Sequence, residues 1–197
     1  MSGMDDGPIV SQRSFFYTQF DDISVSYKKA ALCSAQMMIE VLQNPILLNQ
    51  SIPQIGQPFY YPQRKPEDGY ADWNLPSYDI YAHCRSLTRP YPGLRSLFGD
   101  KKEIIIWKCQ PFDDLVEKVP GAINFIFEDD SFLVQALDGR LLITDYEFVS
   151  SRRKLKTEDI LESKPFLETM NQVICRHDHK HPYCQISKRI KFHEKTN

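Results

Sequence analysis

Apolar and polar positions change rhythm several times along this chain, and each change predicts a different kind of element. Between Ile9 and Tyr17 the run IVSQRSFFY gathers β-branched and aromatic residues behind an Asp-Asp-Gly-Pro turn, which predicts a strand. From Ser24, the predicted N-cap, Tyr27, Ala31, Ala35, Met38 and Leu42 recur at helical spacing until Pro45 closes the element. Pro45 to Pro76 carries six prolines. That density excludes long helices and central strands and leaves an extended linker with turns. A short helix follows, SYDIYAHCRSLT, capped by Ser77, with Ile80, Cys84 and Leu87 on one face. It stops at Arg89-Pro90, where proline forbids continuation.

Beyond Pro90-Tyr91-Pro92-Gly93 the period shortens to that of strands. EIIIWKC (Glu103 to Cys109) is one. GAINFIFEDD (Gly121 to Asp130) is a second, turning through Asp129-Asp130 into SFLVQAL, and Asp138-Gly139 is a hairpin signal ahead of RLLITDYEF. Short strands at this spacing predict a small antiparallel barrel. Past Phe148 the polar run reads as a weak helix and then a tail. Three parts result: 1–98, α/β elements with a proline-rich linker; 99–150, a small β-barrel module; and 151–197, the polar tail.

Composition narrows the function classes. With 42% hydrophobic and 25% charged residues, a packed core is within reach. The net charge of −2 argues against a generic nucleic-acid or membrane-surface protein. No stretch approaches the roughly 20 apolar residues of a membrane helix, and no secretory signal is visible. Five cysteines at wide spacings do not form a disulfide framework, which sets a reducing, cytoplasmic location as the expectation.

Two stretches carry candidate chemistry. The first is the acidic turn at Asp5-Asp6. A turn carboxylate ordinarily stabilises the reversal itself. Here a glycine lies near on either side, and the loop empties into an apolar segment, as at ligand sites of α/β sheets. The second is YYPQRKPEDGYADWNLPSYDIYAHCRSLTRPYPG. It orders Arg64-Lys65-Pro66-Glu67-Asp68-Gly69, then Asp72-Trp73, then a helix containing Arg85, then Pro90 to Gly93.

This order resembles the folate-dependent formyltransferases, the methionyl-tRNA and nucleotide-sugar N-formyltransferases. They carry Met-x-x-Gly-x-Asp-x-Gly-x-Ile around a catalytic Asp, and Gly3 to Ile9 is similar to its latter part, with Asp5 at the catalytic position. The likeness runs from about Gly3 to Phe148. It implies an α/β remnant, the last strand and helices of a Rossmann-like formyltransferase domain, plus a small antiparallel, OB-like β-barrel. It also implies that a substrate amine attacks the formyl carbon of 10-formyltetrahydrofolate while Asp5 assists proton removal. An Asn-x-His pair would polarise the formyl oxygen, since acyl transfer needs a proton acceptor and donors where oxyanion charge develops. Arg64, Asp72, Trp73, Arg85 and Tyr91 are candidates for reaching the acceptor, with structural roles equally open to each.

The sequence departs from the family in one respect. Asn-x-His and the folate-binding segment lie upstream of the Asp loop in the family, and here four residues precede Asp5. The first histidine is His83, on a helix where the family does not keep its catalytic one. The expectation is a truncated chain, inactive alone. Alternatives are half of a split enzyme completed by a separate N-terminal half, or a noncatalytic binding module. Exposed apolar surface and homo-oligomerisation would follow.

Lys101 to Asn197 holds 16 Lys+Arg and 16 Asp+Glu, a formal net of zero. That balance favours a small amine, an amino sugar on a nucleotide carrier, over tRNA. Finally, CRHDHKHPYC offers Cys175, His177, His179, His181 and Cys184 as zinc-type ligands, with the histidines on one side if the segment is extended. The spacing matches no usual finger, and a solvated tail is the competing reading.

Overall fold

The computed structural model describes residues 7–56, 61–99, 101–149, 154–157, 159–182 and 185–187. The chain divides into two units, Met1–Phe59 and Tyr60–Asn197.

The first unit holds α1 (Ile23–Gln43) and a 3-10 helix, Pro45–Gln50. The Asp22 carboxylate, rather than Ser24, caps α1 by accepting the Val25 amide at 2.9 Å. That satisfies one of the free N–H groups of the first turn. No residue of α1 is buried. Phe16, Phe20, Leu32 and Leu42 are 88%, 72%, 67% and 71% exposed, so the expected open apolar surface is present. The strand predicted over Ile9–Tyr17 does not form among the described residues. Ile9 alone makes a bridge, to Ile52, and the residues after it are irregular and mostly exposed. β-propensity reflects a fit to neighbouring strands, and this segment is laid against none.

The second unit is built on β1 (Leu94–Phe98), β2 (Lys102–Asp113), β3 (Ile123–Ile126), β4 (Phe132–Gln135) and β5 (Arg140–Phe148). They form an antiparallel sheet in the order β1-β2-β5-β4-β3. Cross-strand register puts Leu94 opposite Ile106, Val134 opposite Leu141 and Phe132 opposite Ile143, all of them buried. α2 (Ser77–Leu87) lays Ile80 and Cys84 on this core. Its first amide is held by Asp138 from the β4–β5 turn, Ser77 N to Oδ1 at 2.7 Å. So the aspartate read as a hairpin residue also caps a helix.

The predicted closed, OB-like barrel is not what forms: no pairing joins β1 to β3 among the described residues. Instead the segment 159–162 runs between the two edges. Glu162 N donates to Leu97 O at 2.7 Å on one side, and Leu161 N to Gly121 O at 2.8 Å on the other. This short strap bridges the gap between β1 and β3. Gly121 sits at φ 86° with the Leu161 carbonyl oxygen 2.1 Å from where a Cβ would lie, so only glycine admits the strap.

After the strap comes α3 (Phe166–Lys180). The helix read as weak is a full 15 residues, docked through Met170, Val173 and Ile174. Apolar residues three and four apart make that buried stripe. No helix among the described residues is long and apolar enough to cross a membrane.

Candidate functional site

Residues Pro66–Asp68 form a single 3-10 turn, closed by the Asp68 carboxylate accepting the Lys65 amide at 2.7 Å. Pro66 supplies the fixed φ of a first helical position and has no N–H to leave unsatisfied. Asp68 is 3% exposed and also receives a guanidinium hydrogen bond from Arg176 of α3. Burial alone would raise its pKa. The Arg176 bond, the Lys65 amide and the charges of Arg176 and Arg64 outweigh that and hold it below the usual carboxylate value. The acidic residue of the turn is thus a buried anchor for two arginines.

The corner Tyr91–Gly93 lies against the same turn. Gly93 N donates to Leu87 O at 2.8 Å, and Gly93 takes φ 83°. A Cβ on Gly69 would lie 3.2 Å from the Gly93 carbonyl oxygen. Two motifs separated by the whole of α2 therefore meet glycine to glycine. Between them opens a groove of about 510 Å³, walled by Pro62 to Pro66 and Gly69, by Ser86 and Leu87, and by Tyr91 to Gly93.

Of the predicted residues, Arg64 and Tyr91 line this groove. Arg64 is fixed by donating to Asp68 O at 2.8 Å and to Met170 Sδ at 3.4 Å. Partial burial and, more weakly, the Arg176 charge lower its pKa, against the pull of Asp68. Asp72 and Trp73 sit elsewhere. Asp72 Oδ2 accepts the Phe166 amide at 3.0 Å, holding the start of α3. Trp73 is wholly buried, its indole N–H on Ser96 Oγ at 3.2 Å. Arg85 stays on α2, its guanidinium 4.8 Å from the Tyr81 ring centroid, and does not line the groove. Asp5 lies outside the described residues, as does Cys184.

The histidine cluster departs from its reading. Cys175, His177 and His179 lie within α3 and His181 is its C-cap, so the extended alternation does not exist. At helical spacing His177 and His181 share a face, ring centroids 4.8 Å apart, and His179 turns away. No group of three His, Cys, Asp or Glu able to hold a metal occurs among the described residues.

Sequence reasoning missed Arg176, although it sits inside the quoted cluster. Nothing in a linear reading pairs it with Asp68, 108 residues away. His83 was noted only as misplaced. Its ring packs edge-on to Phe166 at 5.4 Å, Nε2 finds no hydrogen-bond partner, and burial with the nearby Arg64 charge lowers its pKa to about 4. It is a neutral, packed histidine at neutral pH.

The family described as formyl transferase, C-terminal domain, matches residues 64–165. The chain belongs to the formyltransferase family. The matched span contains both motifs that wall the groove. The bifunctional polymyxin resistance protein ArnA of Wigglesworthia glossinidia brevipalpis is 41% identical over 128 residues, 62% of this chain and 19% of that protein. A methionyl-tRNA formyltransferase of Pelotomaculum thermopropionicum is 26% identical over 171 residues, 84% of this chain and 52% of that protein. This chain thus spans about a fifth to a half of the length of these relatives. Among solved structures, a variant of HypX from Aquifex aeolicus superposes with TM-score 0.58 at 18% identity, covering 89% of this chain and 29% of HypX. Another HypX structure, in complex with tetrahydrofolic acid, superposes with TM-score 0.52. At such identity these two show a shared fold.

Proposed function

We propose that this chain is the acceptor-side portion of a formyltransferase that uses 10-formyltetrahydrofolate to formylate a small amine, an amino sugar on a nucleotide carrier. The observation that carries this reading is the meeting of the Arg64–Gly69 turn with the Tyr91–Gly93 corner in one groove. Arg64, held by the Asp68 carbonyl, brings a fixed cation to that groove, suited to an anionic carrier. Tyr91 adds an aromatic wall for a ring. The zero net charge after residue 100 favours a nucleotide-linked sugar over tRNA.

The folate donor does not fit this groove. Among the described residues no histidine or asparagine lines it, so these residues offer no counterpart of the formyl-polarising pair. Nor does Asn-x-His occur in these 197 residues. The residues described bear on the acceptor alone, and Asp5 stays the proposed proton acceptor. The reading keeps catalytic-domain elements and linker ahead of the β module, whose first strand is β1 (Leu94–Phe98).

Methionyl-tRNA formylation is the second reading, favoured by the longer stretch shared with those enzymes. Calorimetry of the full chain with a nucleotide-linked amino sugar and with methionyl-tRNA separates the two. The expected result is saturable binding of the sugar nucleotide, weakened about tenfold in Arg64→Ala, the worth of one charge-assisted hydrogen bond. Binding of the tRNA alone would reverse the assignment.

A further inference from the structure

A second, smaller depression of about 120 Å³ adjoins the groove, sharing Gln63 and Lys65 with it. Its remaining walls come from α3 and its C-cap: Arg176, His177, Lys180 and His181. Of the six described residues that line it, three are fixed cations and none is acidic. Such a set repels cations and, left empty of counter-charge, is costly. A basic last turn by itself is ordinary compensation for the helix dipole. That account covers Lys180 but not Lys65 and Gln63, which arrive from a different part of the chain.

The local carboxylates offset this charge only in part. Asp68 is buried beneath, engaged by the Lys65 amide and by one nitrogen of Arg176. A guanidinium has five N–H donors, so that bond leaves Arg176 further donors. Asp178 lies 3.2 Å from His177 Nδ1 through Oδ1 and also accepts the Ile186 amide at 2.7 Å and the Ser187 amide at 3.1 Å. Glu67 reaches Lys65 only as an exposed pair at 3.6 Å. Lys180 forms no ion pair with another described residue. The volume is that of about four water molecules at about 30 Å³ each, room for the oxygen tetrahedron of one phosphoryl group.

We propose that this depression, walled by Lys65, Arg176 and Lys180 with His177 and His181, binds a phosphoryl group of a phosphorylated small molecule. The α3 walls of the site lie beyond the last residue of the family match, while Lys65 lies within it and is shared with the groove. It makes the end of α3 a ligand-binding element where the sequence suggested a zinc cluster or a solvated tail.

The test titrates the full chain with inorganic phosphate and with pyrophosphate, following backbone amide and imidazole resonances, with chloride at matched ionic strength as control. Saturable shifts are expected at Lys65 and from Arg176 to His181. In Lys65→Ala/Lys180→Ala the affinity should fall by about tenfold or more, while Lys65→Arg/Lys180→Arg keeps most of it. Both lysines are exposed, and retained spectral dispersion confirms that the variants fold. Absence of saturable phosphate binding, or equal affinity in the alanine variant, overturns the proposal. So does a single-stranded RNA oligonucleotide binding more tightly than pyrophosphate through the same lysines, which would make the face a nucleic-acid surface. If the sugar nucleotide fails to bind while pyrophosphate binds here, the acceptor reading falls and this site stands.

Discussion

His83 should set the acid side of this protein's stability curve. The perturbation is a fall in pH from 7.5 to 4. Above about pH 6.5 the imidazole is neutral in both folded and unfolded chains, and its contribution is fully present. As pH falls further, the unfolded chain takes up a proton that the folded one refuses until about pH 4. Stability is therefore lost between those limits and the slope ends below them. The gap of about 2.5 units, at 1.36 kcal/mol each, amounts to about 3 kcal/mol, a large share of an ordinary domain's stability. Urea unfolding followed by fluorescence of buried Trp73 measures it at half-unit pH steps. Wild type should lose about 3 kcal/mol over this window, and His83→Gln should lose far less. Asp68 contributes separately. Its lowered pKa gives stability that is present above the ordinary carboxylate range and disappears only as pH falls below it. Identical slopes in both proteins, or an imidazole resonance titrating near 6.5 in the folded chain, would refute the reasoning.

Other perturbations probe the frame of the fold. Gly93→Ala forces a Cβ to 2.3 Å from Ile105 Cγ2 at φ 83°, and should cost about 1–3 kcal/mol in urea unfolding. Gly121→Ala drives a Cβ into the Leu161 carbonyl and should destabilise by at least as much, with faster amide exchange at Leu161 and Glu162 as the local sign. Trp73→Ala empties a fully buried site and should cost about 3–5 kcal/mol by thermal or urea denaturation. Alkylation of the native chain read by mass spectrometry should label exposed Cys175 readily and leave buried Cys84 and Cys109 until unfolding. The Cys84 contact and burial hold the Cys109 thiol well above its usual pKa, and the thiolate is the reactive form.

Legibility in the sequence followed how local each signal was. β5 was readable because Asp138-Gly139 fixes its start and RLLITDYEF then supplies strand residues without interruption. α2 was readable for a like reason, with Pro76 before it and Arg89-Pro90 behind. β1 was passed over, because LRSLF is five residues emerging from a proline-glycine corner and becomes a strand only by pairing with β2. Ile9–Tyr17 erred the other way, since apolar β-branched composition was taken for a strand that has no neighbour to pair with. At the site, the turn and the corner were both visible as motifs. Their contact through Gly69 and Gly93 was not, because 23 residues of helix and loop lie between them. Asp72 and Trp73 carried the same motif signal as Arg64 yet serve the start of α3 and the core. A motif marks a fixed local geometry and does not by itself say which members face a ligand.

Whether the Arg64–Gly69 turn and the Tyr91–Gly93 corner receive the acceptor is tested most directly by mapping a nucleotide-linked amino sugar onto the full chain by amide chemical shifts. Shifts should concentrate at Gln63 to Gly69, Ser86 and Leu87, and Tyr91 to Gly93, and Arg64→Ala should weaken them. Saturable shifts confined to residues away from these segments, or none at millimolar ligand, would contradict the assignment.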